Sequence, residues 1–151
     1  MVKNNLFREI SHTADLAYEI VAKDLTELLN DIVQIIMENS DFSEGYNGNA
    51  SKSLSHLFKE CSKKDNKDLQ NVIKKCYNIS DANKEGFIDD LFDAVNDIIS
   101  TVDRGYLPVK VENQCVYFTK RRVALRIKAL TYHGLQVEFG EKITLRVVFD
   151  V

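Results

Sequence analysis

Leu16-Ala17-Tyr18-Glu19-Ile20-Val21-Ala22-Lys23-Asp24-Leu25-Thr26-Glu27-Leu28-Leu29 changes its hydrophobic period within a few residues, and that change decides the fold class. Up to Ala22, Leu16, Tyr18, Ile20 and Ala22 alternate with Ala17, Glu19 and Val21, the period-two pattern of a strand with one face more buried. Asp24 then stands where a helix N-cap belongs, with Glu27 three residues on forming an Asp variant of the capping box. Leu25, Leu28, Leu29, Ile32, Val33 and Ile36 follow at helical spacing, which predicts a helix from about Leu25 to Asn39. Strand and helix therefore share one domain.

Upstream, Phe7 to Ile10 reads as a strand, separated from Leu16 by the polar break Ser11-His12-Thr13. Downstream, residues 43–70 form a polar insert: Gly45, Asn47, Gly48, Asn49 and Ser51 make a loop, and Leu54, Leu57, Phe58 and Cys61 line one face of a short helix. Val72 to Ile79 is strand material. A second helix spans about Lys84 to Val102, burying Phe87, Ile88, Leu91, Phe92, Val95, Ile98, Ile99 and Val102, with Gly105 at a C′ position. Asp90, Asp93 and Asp97 form an acidic stripe on its solvated side. The last third predicts strands at Tyr106 to Glu112, Cys115 to Thr119, Val123 to Thr131, Leu135 to Phe139 and Ile143 to Phe149. Asn113-Gln114 serves as a two-residue hairpin turn. The expected fold is α+β, a mainly antiparallel sheet covered by two helices, with a hint of a duplicated β-α-β-β unit.

At 151 residues with 44% hydrophobic and 28% charged content, one soluble domain over 1–151 is expected. The formal net charge of −3 gives the chain as a whole no basic footprint, so any RNA is expected to be held by a partner. The N-terminus has no signal-peptide apolar region, and apolar runs such as Ile35-Ile36-Met37 are too short to span a membrane, which points to the cytoplasm. Cys61, Cys76 and Cys115 are widely spaced and odd in number, so reduced structural thiols are expected rather than zinc ligands or a disulfide framework.

Standard catalytic signatures are missing: no phosphate-binding glycine loop, no G-x-S-x-G, no H-E-x-x-H and no EF-hand. Two polar clusters interrupt the strands instead. His12-Thr13-Ala14-Asp15 reads either as a β-bulge with Asp15 on a backbone N–H or as part of a site. Thr131-Tyr132-His133-Gly134 reads as a capped hairpin, with Tyr132 packed and His133 bonded to a carbonyl, or likewise as part of a site. The chain closes on Phe149-Asp150-Val151, where the Asp150 carboxylate and the terminal carboxylate of Val151 form a pair of hard oxygen anions suited to a divalent cation.

The three segments His12-Thr13-Ala14-Asp15, Lys128-Ala129-Leu130-Thr131-Tyr132-His133-Gly134-Leu135 and Arg146-Val147-Val148-Phe149-Asp150-Val151, in this order and nearly end to end, resemble the archease family. Archeases are small cofactor proteins of RtcB-type RNA ligases. The resemblance implies two β-α-β-β-like units and a metal site formed by Asp15, Asp150 and Val151. It also implies a non-catalytic role in which the ligase is helped to become guanylylated and to join tRNA halves over many turnovers. RNA and GTP would reach the protein through the ligase.

The metal would be Ca²⁺, Mg²⁺ or Mn²⁺. Three carboxylates on one site repel, by ~4 kcal/mol per pair at 4 Å and an effective dielectric of 20, or ~1 kcal/mol in water. His12, Thr131 and His133 are expected to support the site or the fold, since imidazole suits softer metals. The family's central helix usually carries Trp-Leu-Asn-Glu, where this chain has Ala94-Val95-Asn96-Asp97, so Asn96 and Asp97 are candidate partner-facing residues. A chaperone-like binding module for a nucleic-acid-modifying enzyme is the alternative. A metal-dependent hydrolase is less favoured, because no nucleophile or general base stands at recognisable spacing.

Overall fold

The structure, a computed structural model, describes residues 7–10, 15–41 and 72–151. Ten elements follow in chain order: β1 (Phe7–Ile10), β2 (Leu16–Ala22), α1 (Leu25–Glu38), β3 (Val72–Cys76), α2 (Lys84–Asp103), β4 (Tyr106–Glu112), β5 (Cys115–Lys120), β6 (Ala129–Leu130), β7 (Gln136–Phe139) and β8 (Ile143–Asp150). Two helices and antiparallel strands bear out the α+β expectation. The strands form two sheets rather than one. The larger runs β1-β2-β8-β6, with β7 also on β8, and the smaller runs β3-β5-β4. The expected 43–70 insert lies outside the described residues.

Both helix starts obey capping chemistry. Asp24 accepts the Glu27 N–H at 2.8 Å, and Asn83 accepts the Gly86 N–H at 2.7 Å, each satisfying one orphan donor of the first turn. Helix α1 is buried from Leu28 to Met37 except at Asn30. A helix buried on nearly every side must be enclosed, and α1, whose buried residues include the polar Asp31 and Gln34, contacts β2 of one sheet and β4 of the other. Helix α2 is amphipathic and lies on β4, β6 and β7. Its chain turns sharply at Gly105, whose φ of +104° suits the C′ position. The fully buried Phe87, Phe118 and Phe149 come from α2 and from both sheets, so one core serves the whole described fold.

Local turn chemistry sets the sheets. Asn113 and Gln114 both have positive φ, 50° and 63°, which is the backbone of a primed two-residue turn and closes the β4–β5 hairpin. Pro108, which lacks an N–H, sits on edge strand β4 where the register shifts between Pro108 and Lys110.

Two expectations are corrected. Cys76 and Cys115 are bonded as a disulfide between residues directly opposite each other on β3 and β5. The thiols are therefore not both free, because the strand register brings together cysteines that stand 39 residues apart. The stretch Val123 to Thr131 is also not a continuous strand: only Ala129–Leu130 pairs in a sheet. Its alternation is real, but its backbone bonds are shared among other elements. The Asp41 N–H donates to the Ala124 carbonyl at 2.9 Å, the Arg126 N–H to Asn39 at 2.8 Å and the Lys128 N–H to Asp150 at 2.7 Å.

Candidate functional site

The centre of the larger sheet is β8, which pairs along its length with β2 on one side and with β7 and β6 on the other. The β2–β8 register runs from Ala22 opposite Ile143 to Leu16 opposite Phe149. Extending it by one position aligns Asp15 with Asp150. Apolar side chains drive this closure: Leu16, Ile20, Leu145, Val147 and Phe149 are buried, so a one-residue slip would turn them to the other face. Asp15 is half-buried, Asp150 exposed and Val151 half-buried against the core. The Asp150 carbonyl accepts the Lys128 N–H, which leaves its side-chain carboxylate as the solvent-facing group.

Among the described residues, no three His, Cys, Asp or Glu side chains gather as a metal-binding group. The expected set has two side-chain carboxylates, Asp15 and Asp150, and a third from the main chain of Val151. Hard oxygens fit Ca²⁺ or Mg²⁺ better than a zinc-type ion. His12 lies outside the described residues.

Thr131 and His133 form a turn, one of the two roles expected of them. Thr131 donates its N–H to the Val148 carbonyl at 2.9 Å, and its hydroxyl contacts the carbonyls of Val148 at 3.0 Å and His133 at 2.9 Å. Gly134 completes the turn at φ +83°, and a Cβ there would meet Val148 Cγ2 at 2.9 Å, so the turn excludes a side chain. Tyr132 is exposed and packs at the surface, outside the core. Its hydroxyl donates to Asp89 at 2.5 Å and its ring meets Phe92 edge-on at 5.2 Å.

Asn96 and Asp97 are both engaged within the chain. The Asn96 amide donates to the Leu130 carbonyl at 3.2 Å and accepts the Leu130 N–H at 2.8 Å, filling the free edge of β6 as a neighbouring strand would. Asp97 accepts the Tyr77 hydroxyl at 2.7 Å and pairs with Lys75 at 3.2 Å, while Lys75 also reaches the Thr101 hydroxyl at 3.0 Å. Partial burial pushes the Asp97 carboxyl up, but Tyr77, Lys75 and Arg104 outweigh it and hold the group below the usual carboxylate value. Burial and the neighbouring Asp97 push the Tyr77 phenol well up. Sequence reasoning missed Lys75 and Tyr77. Their only advance signal was their two-residue spacing, which sets them on one face of an extended segment.

These features define a small α+β protein whose two sheets enclose one helix and carry a second. A family model described as "Archease protein family (MTH1598/TM1083)" matches residues 7–151. A curated protein named "Protein archease" from Thermotoga maritima is 31% identical over 150 residues, covering 95% of this chain and 98% of that one. A 2.0 Å crystal structure of a T. maritima protein, described as an archease and "possible chaperone", superposes with a TM-score of 0.57 at 28% identity. It covers 95% of this chain and 96% of that one. The chain belongs to the archease family. Among the described residues, no helix is long and apolar enough to cross a membrane.

Proposed function

We propose that this chain is a metal-binding accessory protein that activates an RtcB-type RNA ligase, promoting guanylylation of the ligase and its repeated joining of RNA ends such as tRNA halves. The observation that carries the reading is the antiparallel β2–β8 pairing, whose register leads to Asp15 and Asp150 at the same end of the sheet. Together with the main chain of Val151 they are hard oxygen ligands for a divalent cation. A bound dication supplies the charge that offsets carboxylate repulsion and leaves coordination positions for water, phosphate or a group from the partner. The chemistry of bond formation belongs to the ligase in this reading; the accessory protein binds, orients and neutralises.

Calorimetric titration with Ca²⁺ tests the metal half. Asp15→Asn and Asp150→Asn are each expected to weaken binding at least tenfold with unchanged circular dichroism. Loss of folding instead would mean that the carboxylates hold the sheet. The partner half is tested by guanylylation of an RtcB-type ligase with and without this protein, and no stimulation would refute it. The description of the T. maritima relative as a possible chaperone favours a second reading, a metal-independent binding module. That reading predicts stabilisation of the partner by both Asp variants as well as by the parent protein.

A further inference from the structure

We infer that the segment Lys120–Lys128 is a binding strap for the phosphodiester backbone of a nucleic acid. Lys120-Arg121-Arg122-Val123-Ala124-Leu125-Arg126-Ile127-Lys128 holds five cations and no acid, in a chain whose net charge is −3. The whole-chain charge conceals this local excess.

Three structural observations turn composition into a surface. Exposure alternates: Val123 and Ile127 are buried and Leu125 is half-buried, whereas Arg122, Arg126 and Lys128 are exposed between them. The apolar set holds the strap to the core and leaves the three cations exposed.

The strap is also anchored by its backbone at several points. The Arg121 N–H donates to the Gly105 carbonyl at 2.9 Å, and the Ala124 N–H donates to Asp41 Oδ1 at 2.9 Å. The bonds of Arg126 to Asn39 and of Lys128 to Asp150 complete the set. Cations on a fixed backbone lose less conformational freedom on binding a polyanion.

Several cations elsewhere in the fold are held in ion pairs. Arg8 and Arg146 reach Glu19, Lys75 reaches Asp97, Lys84 reaches Glu138 and Lys110 reaches Glu112. Lys120, Arg122, Arg126 and Lys128 make no ion pair among the described residues. Arg122 lies over the turn at Gly105. Glu38 and Asp41 border the same cleft as Arg126, of about 300 Å³, and one Asp41 oxygen is already occupied by the Ala124 N–H.

Like charges collected along one short segment repel one another, and an anionic ligand relieves that repulsion. Guanidinium forks match phosphate oxygens in pairs, which favours phosphate over scattered carboxylates. Aromatic residues are missing from the nine, so the strap grips backbone rather than bases and is indifferent to sequence. This goes beyond the proposed function, in which RNA reaches the protein through its ligase, and it does not depend on the metal.

The test is fluorescence anisotropy of the full chain with a labelled single-stranded RNA, a DNA of the same sequence and a polyglutamate peptide. Four phosphate contacts predict a slope of log affinity on log salt of about −3, and hence roughly a fifty-fold loss between about 50 and 200 mM salt. RNA and DNA should bind alike. The triple variant Arg122→Ala, Arg126→Ala, Lys128→Ala should reduce the magnitude of that slope by about 2. It should also weaken low-salt binding at least tenfold. A control variant, Lys23→Ala with Lys142→Ala, should leave binding unchanged. All three substituted cations are exposed, and circular dichroism of the triple variant checks that its fold persists. Salt-independent binding, an unchanged triple variant, equal loss in the control, a preference for RNA over DNA, or polyglutamate bound as tightly as RNA would each overturn the inference.

Discussion

Asp97 shows how one side chain can be read correctly in type and missed in context. Its place on the solvated stripe of α2 was legible from helical spacing, yet the residues that grip it come from β3 and the residue after it. Their alignment depends on how β3 lies beside the helix, which spacing within either segment does not encode. The carboxyl sits below its unfolded value of 3.8, so its contribution is present above that value and is lost as pH falls through the lower folded value. Asp97→Asn is therefore expected to lower the urea midpoint at neutral pH and to match the parent protein once both are measured below the folded value. Because the side chain is 41% exposed, solvent screening keeps the effect small. Asn96, one residue earlier, makes two bonds to Leu130 that replace a missing strand, so the asparagine of this helix has a structural task wherever a partner docks.

Among the elements, α1 was the most readable. Its N-cap, spacing and length could be taken from Asp24 to Asn39, and the observed helix ends one residue earlier, with Asn39 as its cap. The Asn39 side chain bonds the Ile35 carbonyl at 2.9 Å and the Tyr18 hydroxyl at 3.1 Å, linking the helix end to β2. Asp24→Ala removes the acceptor for the Glu27 N–H and should cost about 1 kcal/mol, measured as a shift in the chemical denaturation midpoint. The strap between β5 and β6 was misread for a physical reason. Val123, Leu125 and Ile127 have the alternation of a strand because alternate side chains must reach the core, but the hydrogen-bond partners of their segment lie in a turn, a helix end and another strand. Period reports burial on one side; it does not report which backbone supplies the bonds.

For the molecule as a whole, the α+β class followed from the change of period at Ala22 to Leu25, and α2 from the apolar spacing that follows Lys84. The division into two sheets did not, since strand partners are chosen by registers that connect distant parts of the chain. The same is true of Cys76 and Cys115. Their disulfide closes a loop that contains all of α2, and for a separation of 39 residues the chain-entropy model gives a stabilisation of up to about 4 kcal/mol. Dithiothreitol should therefore lower the melting temperature of the parent protein and leave Cys115→Ser unchanged. As for the candidate site, Asp15 and Asp150 were legible as residue types at two chain positions, and the β2–β8 register relates them. The prominence of β8 also bears on the order of folding. The segment β3-α2-β4-β5 makes its sheet contacts within one stretch of chain, whereas β1, β2 and α1 must wait for the last strand before their sheet has a centre. Contacts of such long range close slowly. During synthesis β2 therefore lacks its β8 partner until the last strand leaves the ribosome, which exposes the first strands to aggregation while the chain is being made.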